Sequence, residues 1–213
     1  MNKHRVYDEY LNGILPEIKS PVIFEIGVHV GQDTAILYDM CKSPQYYGFE
    51  PDPRNIETFK KTEVYKKINF YEMAVGAYNG KAEFYQSSGS PPKHSRENTG
   101  SSSLYKPKKH LDRWPWTTFN NKIIVDICTL DFHCTKFNIK NIDFIWADIQ
   151  GAEYYMILGG ANILKNTKYM FVEYEDADLY EGHKMLSEIL NVLPGWGVVK
   201  RYPSDVLLKN NII

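Results

Sequence analysis

The chain has 213 residues, 43% of them hydrophobic and 24% charged, with a formal net charge of −1. That length suits one domain with a substantial buried core, and the near-neutral balance excludes a wholesale basic nucleic-acid binder or an acidic tail protein. No run approaches the roughly 20 apolar residues of a membrane span, the first ten residues lack the apolar core of a signal peptide, and Cys41, Cys128 and Cys134 have neither metal-ligand nor redox spacing, so the expectation is a soluble cytoplasmic protein with no membrane partner.

Read in order, the chain alternates strand and helix. Residues 1–20 predict an N-terminal amphipathic helix, with Val6, Tyr10, Leu11, Ile14 and Leu15 at helical spacing and Pro16 and Pro21 as stops. A strand over 22–27 runs into Gly27, turns, and passes Gly31 into a helix over 31–41. A second strand, 45–50, ends in Glu50-Pro51-Asp52-Pro53, where proline opens a helix over 53–63. Residues 68–75 predict a third strand, and Asn79-Gly80 is a hairpin signal leading into a strand over 81–85. The strand–helix–strand–helix–strand order is that of a doubly wound parallel sheet.

Residues 86–116 break this rhythm and are expected to form an inserted lid or substrate loop. Lys93, Arg96, Lys106, Lys108, Lys109 and Arg113 outnumber Glu97 and Asp112 there, with His94, His110, Trp114 and Trp116 in or beside it. Such a loop either grips a phosphate, a sugar or a nucleic acid, or is a solvated loop with incidental lysines. The alternation resumes with a strand over 122–128, a helix over 130–137 capped by Thr129, a strand over 142–147 ending at Asp148, and a helix within 154–164. A strand over 169–174, a helix over 181–192 and a closing strand pair, 196–200 and 205–209, complete a single domain, 1–213.

The glycine turn after the first strand is where an α/β protein binds a nucleotide. Gly27 permits an unusual backbone, Gly31 lets a ligand approach the main chain, and amides at the helix start face that ligand. Glu50, ending the second strand, is placed to accept hydrogen bonds from the two hydroxyls of a ribose. Further acids, Asp148, Glu173, Glu175 and Asp176, fall at the ends of later strands.

Taken together, Glu25-Ile26-Gly27-Val28-His29-Val30-Gly31, Phe49-Glu50-Pro51-Asp52-Pro53, Ala74-Val75-Gly76, Gly100-Ser101-Ser102-Ser103-Leu104, Thr129-Leu130-Asp131, the run from Ile142 to Glu153, and Val172-Glu173 resemble the FkbM-type S-adenosylmethionine-dependent methyltransferases. The resemblance spans roughly residues 20–210. It implies an α/β, Rossmann-like class I methyltransferase fold: a seven-stranded, mainly parallel sheet with helices on both faces and a reversed last strand. It also implies O-methylation of a hydroxyl on a small molecule, sugar or glycan, with S-adenosylhomocysteine as the spent cofactor. By this likeness Gly27 and Gly31, with Val28, His29 and Thr34, meet the methionine part of the cofactor and Glu25 anchors its amino group. Glu50 and Pro51 take the ribose, Ala74 and Val75 edge the adenine, and Ser102 and Ser103 lie in a loop that closes over both ligands. Asp148 is the candidate base or substrate orienter, next to Gln150, with His29, His94 and His110 as substitutes.

Two departures stand out. His29 replaces a small or amide residue, and Gln150 replaces a glutamate. A divalent cation held by Asp148 with Glu173, Glu175 or Asp176 is a variant reading, against acids paired with lysines or solvent. The rivals are an RNA ribose 2'-O-methyltransferase, supported by the basic loop, an NAD-binding oxidoreductase, disfavoured by glycines spaced GxxxG, and a cofactor-binding scaffold without chemistry. Oligomeric state is not legible.

Overall fold

The computed structural model describes residues 9–92 and 97–213. Its first strands are β1 (Val22–Ile26), β2 (Gln45–Phe49), β3 (Asn69–Tyr71), β4 (Ala74–Val75) and β5 (Gly80–Ser88). The later ones are β6 (Thr118–Cys128), β7 (Ile142–Ala147), β8 (Thr167–Glu173), β9 (Trp196–Arg201) and β10 (Asp205–Asn210). Between them lie short helices: α1 (Glu9–Ile14), α2 (Gln32–Met40), α3 (Pro53–Phe59), α4 (His110–Arg113), α5 (Leu130–Lys136), α6 (Glu153–Gly159) and α7 (Leu186–Asn191).

Seven strands form one sheet in the order β3-β2-β1-β7-β8-β10-β9, and β10 runs antiparallel to β8 while β1, β2, β7 and β8 are parallel. All six residues of β7 are buried, as a central parallel strand covered on both faces requires. Alternation sends Phe24, Ile26, Ile145 and Met170 to one face, against Leu130, Met156 and Ile189 of α5, α6 and α7. Ile23, Phe144, Trp146 and Phe171 go to the other, against Leu11 of α1 and Leu37 of α2, with Trp146 stacked on Phe171 at 4.4 Å. Strand order reverses between β1 and β7, and a crevice opens at their carboxyl ends there.

The expected strand over 68–75 divides. β3 ends at Tyr71 and joins the large sheet, whereas β4 pairs parallel with β6 in a separate three-stranded sheet. The expected hairpin at Asn79-Gly80 does not form, because β6 lies between β4 and β5 and pairs with both. Asn79 instead uses its side-chain oxygen to accept the Thr129 amide at 2.9 Å, so the turn residue serves a different neighbour. The helix expected within 154–164 stops at Gly159-Gly160, where a Cβ on Gly159 would lie 2.1 Å from the Gly76 carbonyl oxygen. The helix expected over 181–192 begins only at Leu186, since residues 175–183 join the roof of the crevice. Within the expected N-terminal helix the structure has a helix over Glu9–Ile14, and residues 1–8 lie outside the described residues.

Candidate active site

Beyond the ends of β1, β2 and β7 lies a cavity of about 890 Å³. Its floor begins with the turn after β1. Gly27 and Val28 both donate their amides to the Phe49 carbonyl, each at 3.0 Å, which ties the turn to the end of β2. Gly27 has φ +94°, and a Cβ there would sit 2.1 Å from the carbonyl oxygen of Asp148. Its glycine is therefore demanded by the approach of β7 to β1. Gly31, at φ +83°, begins α2, and a Cβ there would strike the Phe59 ring. Gly31 is not among the residues that line the cavity, and the space beside its Cα is filled by Phe59 of α3.

Glu50 is 4% exposed and faces this cavity. Its Oε2 accepts the His29 amide at 2.8 Å, and its Oε1 accepts the Asp52 amide at 2.8 Å and Asn55 Nδ2 at 3.4 Å. Burial pushes the Glu50 carboxyl up to about 7, against those hydrogen bonds, which pull it down. His29 adopts φ +54°, an uncommon conformation that aims its amide at Glu50. Its ring Nε2 lies 2.8 Å from Thr99 Oγ1, so one residue joins the β1 turn, Glu50 and the serine loop.

The serine loop is fastened from below. Ser102 Oγ donates to the Thr99 carbonyl at 2.8 Å and accepts the Ser87 amide at 3.0 Å. Buried Asp52, the N-cap of α3, lies 3.3 Å from Ser102 Oγ and is held by Arg54 and by Gln86 Nε2 at 2.8 Å. Ser103 is buried, donates to the Gln150 carbonyl at 2.7 Å, and stands behind the lining. Ala74, Val75, Phe84 and Leu104 supply an apolar side to the cavity, next to Pro51.

Across β1, Asp148 and Gln150 line the opposite wall. Gln150, at φ +53°, donates Nε2 to Asp148 Oδ1 at 2.8 Å and to Glu173 Oε2 at 2.5 Å, and accepts the Tyr180 hydroxyl at 3.1 Å. Glu153 accepts the Ile149 amide at 2.9 Å, and burial, assisted by the charge of Asp148, pushes its carboxyl up to about 8. The cation reading is corrected at this wall. Glu173 is bridged to Asp148 by an amide, Glu175 pairs with Arg113 at 2.8 Å, and among the described residues no group of three or more His, Cys, Asp or Glu is arranged for a metal.

Three further expectations move. Glu25 is buried below the cavity, accepting the Tyr46 hydroxyl at 2.8 Å, and Thr34 is buried within α2; neither lines the cavity. His110 packs behind the lining residues Trp114 and Tyr180 and against Phe119, and burial lowers its pKa to about 4. His94 lies outside the described residues. The lining also includes Asp33, Asn55, Tyr180 and His183, which sequence reasoning did not single out. Asn55 had a signal, five residues beyond Glu50 at the start of a helix; Tyr180 and His183 had none, because only the fold brings 175–183 over the crevice.

The family described as Methyltransferase FkbM domain matches residues 25–200 of this chain. The chain belongs to the FkbM methyltransferases. It is 35% identical over 201 residues to the 2-O-methyltransferase NoeI of Sinorhizobium fredii, covering 92% of this chain and 82% of that protein. A crystal structure of a candidate rRNA methylase from Clostridium thermocellum shares the fold with a TM-score of 0.51 at 10% identity, over 98% of this chain and 94% of that one. This FkbM protein is thus an S-adenosylmethionine-dependent O-methyltransferase with the class I fold. The donor set suits that cofactor, because a buried carboxylate held by two amides faces the cavity opposite an apolar side. Among the described residues no helix is long and apolar enough to cross a membrane.

Proposed function

We propose that this enzyme methylates a hydroxyl of a small molecule, sugar or glycan, with Glu50 holding the cofactor ribose and Asp148 serving the acceptor. The observation that carries the reading is the placement of two carboxylates on one cavity at the strand-order reversal, Glu50 ending β2 and Asp148 ending β7. S-adenosylmethionine, when bound, supplies a methyl group already activated on a sulfonium. Gly27, Val28 and His29 supply the main chain beside it, and Ala74, Val75 and Leu104 the apolar side. The protein's task is mainly alignment, with water excluded by the roof. Asp148 orients the acceptor hydroxyl and takes its proton as the oxygen is methylated. Gln150 keeps the Asp148 carboxylate directed by its 2.8 Å hydrogen bond.

The chemistry of the roof disfavours RNA as the acceptor. Lys106, Lys108 and Arg113 pair with Glu181, Asp178 and Glu175. The test is a methyl-transfer assay on a panel of hydroxyl-bearing acceptors, read by mass spectrometry, with Asp148→Asn beside the native enzyme. Asp148→Asn should keep S-adenosylhomocysteine affinity and lose most turnover; unchanged turnover would overturn the role of Asp148.

A further inference from the structure

The division of residues 69–75 between two sheets is accompanied by a second cavity, of about 350 Å³. Tyr71, which ends β3, and Met73 just beyond it form one side, and Ile127 of β6 lies on another. Helix α5 adds Phe132, His133 and Lys136, and Phe137 follows directly. The rings of Tyr71, His133 and Phe137 pack on one another, with centroids 4.4, 4.6 and 5.3 Å apart. Phe132 and Phe137 are nonetheless 50% and 43% exposed, so the mouth of this cavity is aromatic.

Its polar groups differ in how they are engaged. Asn79 accepts the Thr129 amide at 2.9 Å, and Asp126 pairs with Lys81 at 2.7 Å. Lys136 is exposed and forms no ion pair with a described residue, and its Nζ lies 5.5 Å from the centre of the Phe137 ring. Its charge reaches the cavity wall. Burial raises the Cys128 thiol to about 11 against the pull of Lys136, and burial together with Lys136 lowers His133 to about 4. His133 is therefore neutral near pH 7. Its buried Nε2 has no hydrogen-bond partner among the described residues, so the protein leaves this wall incompletely satisfied.

An aromatic cavity with one unengaged ammonium at its edge has a defined complement: a flat apolar ring that carries a carboxylate. The volume lies near the lower end of small-molecule sites, commonly about 300–1,000 Å³, which suits one ring rather than a nucleoside. We propose that this second cavity binds a single-ring aromatic carboxylate, with its ring against Tyr71, Met73 and Phe137 and its carboxylate on Lys136. The site does not depend on the identity of the methyl acceptor. Met73 also lines the larger cavity, so its methyl group reports on both.

The test is an NMR titration of protein carrying methyl-labelled methionine, saturated with S-adenosylhomocysteine so that the larger cavity is filled. The probes are benzoate, phenylacetate and, as the neutral counterpart, benzyl alcohol. The Met73 signal is identified among the six methionines with Met73→Leu. Both carboxylates should move that signal at millimolar concentration. Lys136→Met should weaken them about three- to fivefold and leave benzyl alcohol unchanged, whereas Lys136→Arg should retain carboxylate affinity. Phe137→Ala should weaken all three probes about tenfold, and Lys165→Met, which removes an exposed lysine elsewhere, should change nothing. A Met73 signal unmoved by either carboxylate overturns the proposal, as does full carboxylate affinity in Lys136→Met or benzyl alcohol binding as tightly as the acids. Expulsion of the carboxylates by S-adenosylhomocysteine overturns it too, because it would place them in the larger cavity. If the native protein fails to hold S-adenosylhomocysteine, the cofactor site is struck instead, and the comparison with Lys136→Met in the unloaded protein decides the second cavity separately.

Discussion

Replacing Glu50 by alanine should weaken S-adenosylhomocysteine binding by about two orders of magnitude, and the structure sets both the size and the pH dependence of that loss. The carboxylate is anchored on its inner side by the His29 and Asp52 amides at 2.8 Å, while it lines the cavity on the other. Two ribose hydroxyls donating to a buried charged acceptor contribute about 1.5 kcal/mol each at the low end, roughly 3 kcal/mol together, or about 150-fold in Kd. Burial has raised the carboxyl to about 7 from an ordinary 4.5, and only the ionised form accepts from both hydroxyls. Affinity should therefore be flat above pH 7 and fall by up to about tenfold per pH unit below it, reaching roughly 100-fold between pH 8 and pH 5. Glu50→Gln should be weak and nearly flat across that range. For folding, the sign is opposite. A carboxyl whose folded pKa is raised contributes stability that is fully present below about 4.5 and is lost as pH rises through about 7. The apo protein thus loses the Glu50 contribution over the same interval in which binding improves. Calorimetry at pH 5, 6, 7 and 8, with melts of the apo protein alongside, reads both slopes. Unchanged affinity in Glu50→Ala, or native affinity that stays flat from pH 8 to pH 5, would refute the ribose assignment.

Gly27→Ala should be among the most damaging small substitutions, because its methyl would meet the Asp148 carbonyl at 2.1 Å in a left-handed conformation; a soluble variant with native melting temperature and native S-adenosylhomocysteine affinity would contradict this. His29→Ala keeps the amide on Glu50 but removes the 2.8 Å contact with Thr99, so cofactor affinity should change little while hydrogen exchange speeds up over residues 98–103; unaltered exchange there would show that the contact does not hold the loop. Glu153, pushed to about 8 by burial and by Asp148, loses its contribution to stability as pH rises from 4.5 through 8, so the melting advantage of Glu153→Gln over the native protein should grow from pH 5 to pH 9. A constant difference would mean that Glu153 does not titrate in that window.

The parts of the fold readable in the sequence were those governed by local pattern. The apolar runs of β1, β7 and β8, the prolines after Glu50, and the Thr129 cap, which accepts the Phe132 amide at 3.1 Å, each act over a few residues. Glu50 was legible because it ends a strand beside a glycine turn. What was not legible depended on distant partners. Ala74-Val75 reads as a continuation of β3, but its hydrogen bonds go to Ile127 and Cys128, and no local signal says so. Gly31 reads as a glycine left open for a ligand, and no local signal places the Phe59 ring that packs beside its Cα. Glu25 stands two residues before Gly27, yet strand alternation turns it toward Tyr46 and away from the crevice.

The basic loop shows most clearly how a charge count misleads without its neighbours. Residues 106–109 read as a surface for phosphates, yet the main chain of this segment is bonded to residues 178–181. Lys108 and Lys109 donate their amides to Leu179 and Asp178 at 2.7 and 3.2 Å, and Glu181 donates back to Lys106 at 2.8 Å. Lys106 and Lys108 are then paired with Glu181 and Asp178, and Arg113 with Glu175. Each exposed pair is worth only about 0–1 kcal/mol, so the pairs alone do not hold the roof shut. They do offset the charges of Lys106, Lys108 and Arg113 outside the cavity, where those side chains would otherwise attract polyanions. Inside the cavity, Tyr180 donates to the Ser101 carbonyl at 2.9 Å and ties the 175–183 segment to the serine loop. The Tyr180 hydroxyl also lies 3.1 Å from Gln150 Oε1, and Gln150 donates to Asp148 at 2.8 Å, so the 175–183 segment, the serine loop and Asp148 share one hydrogen-bond network.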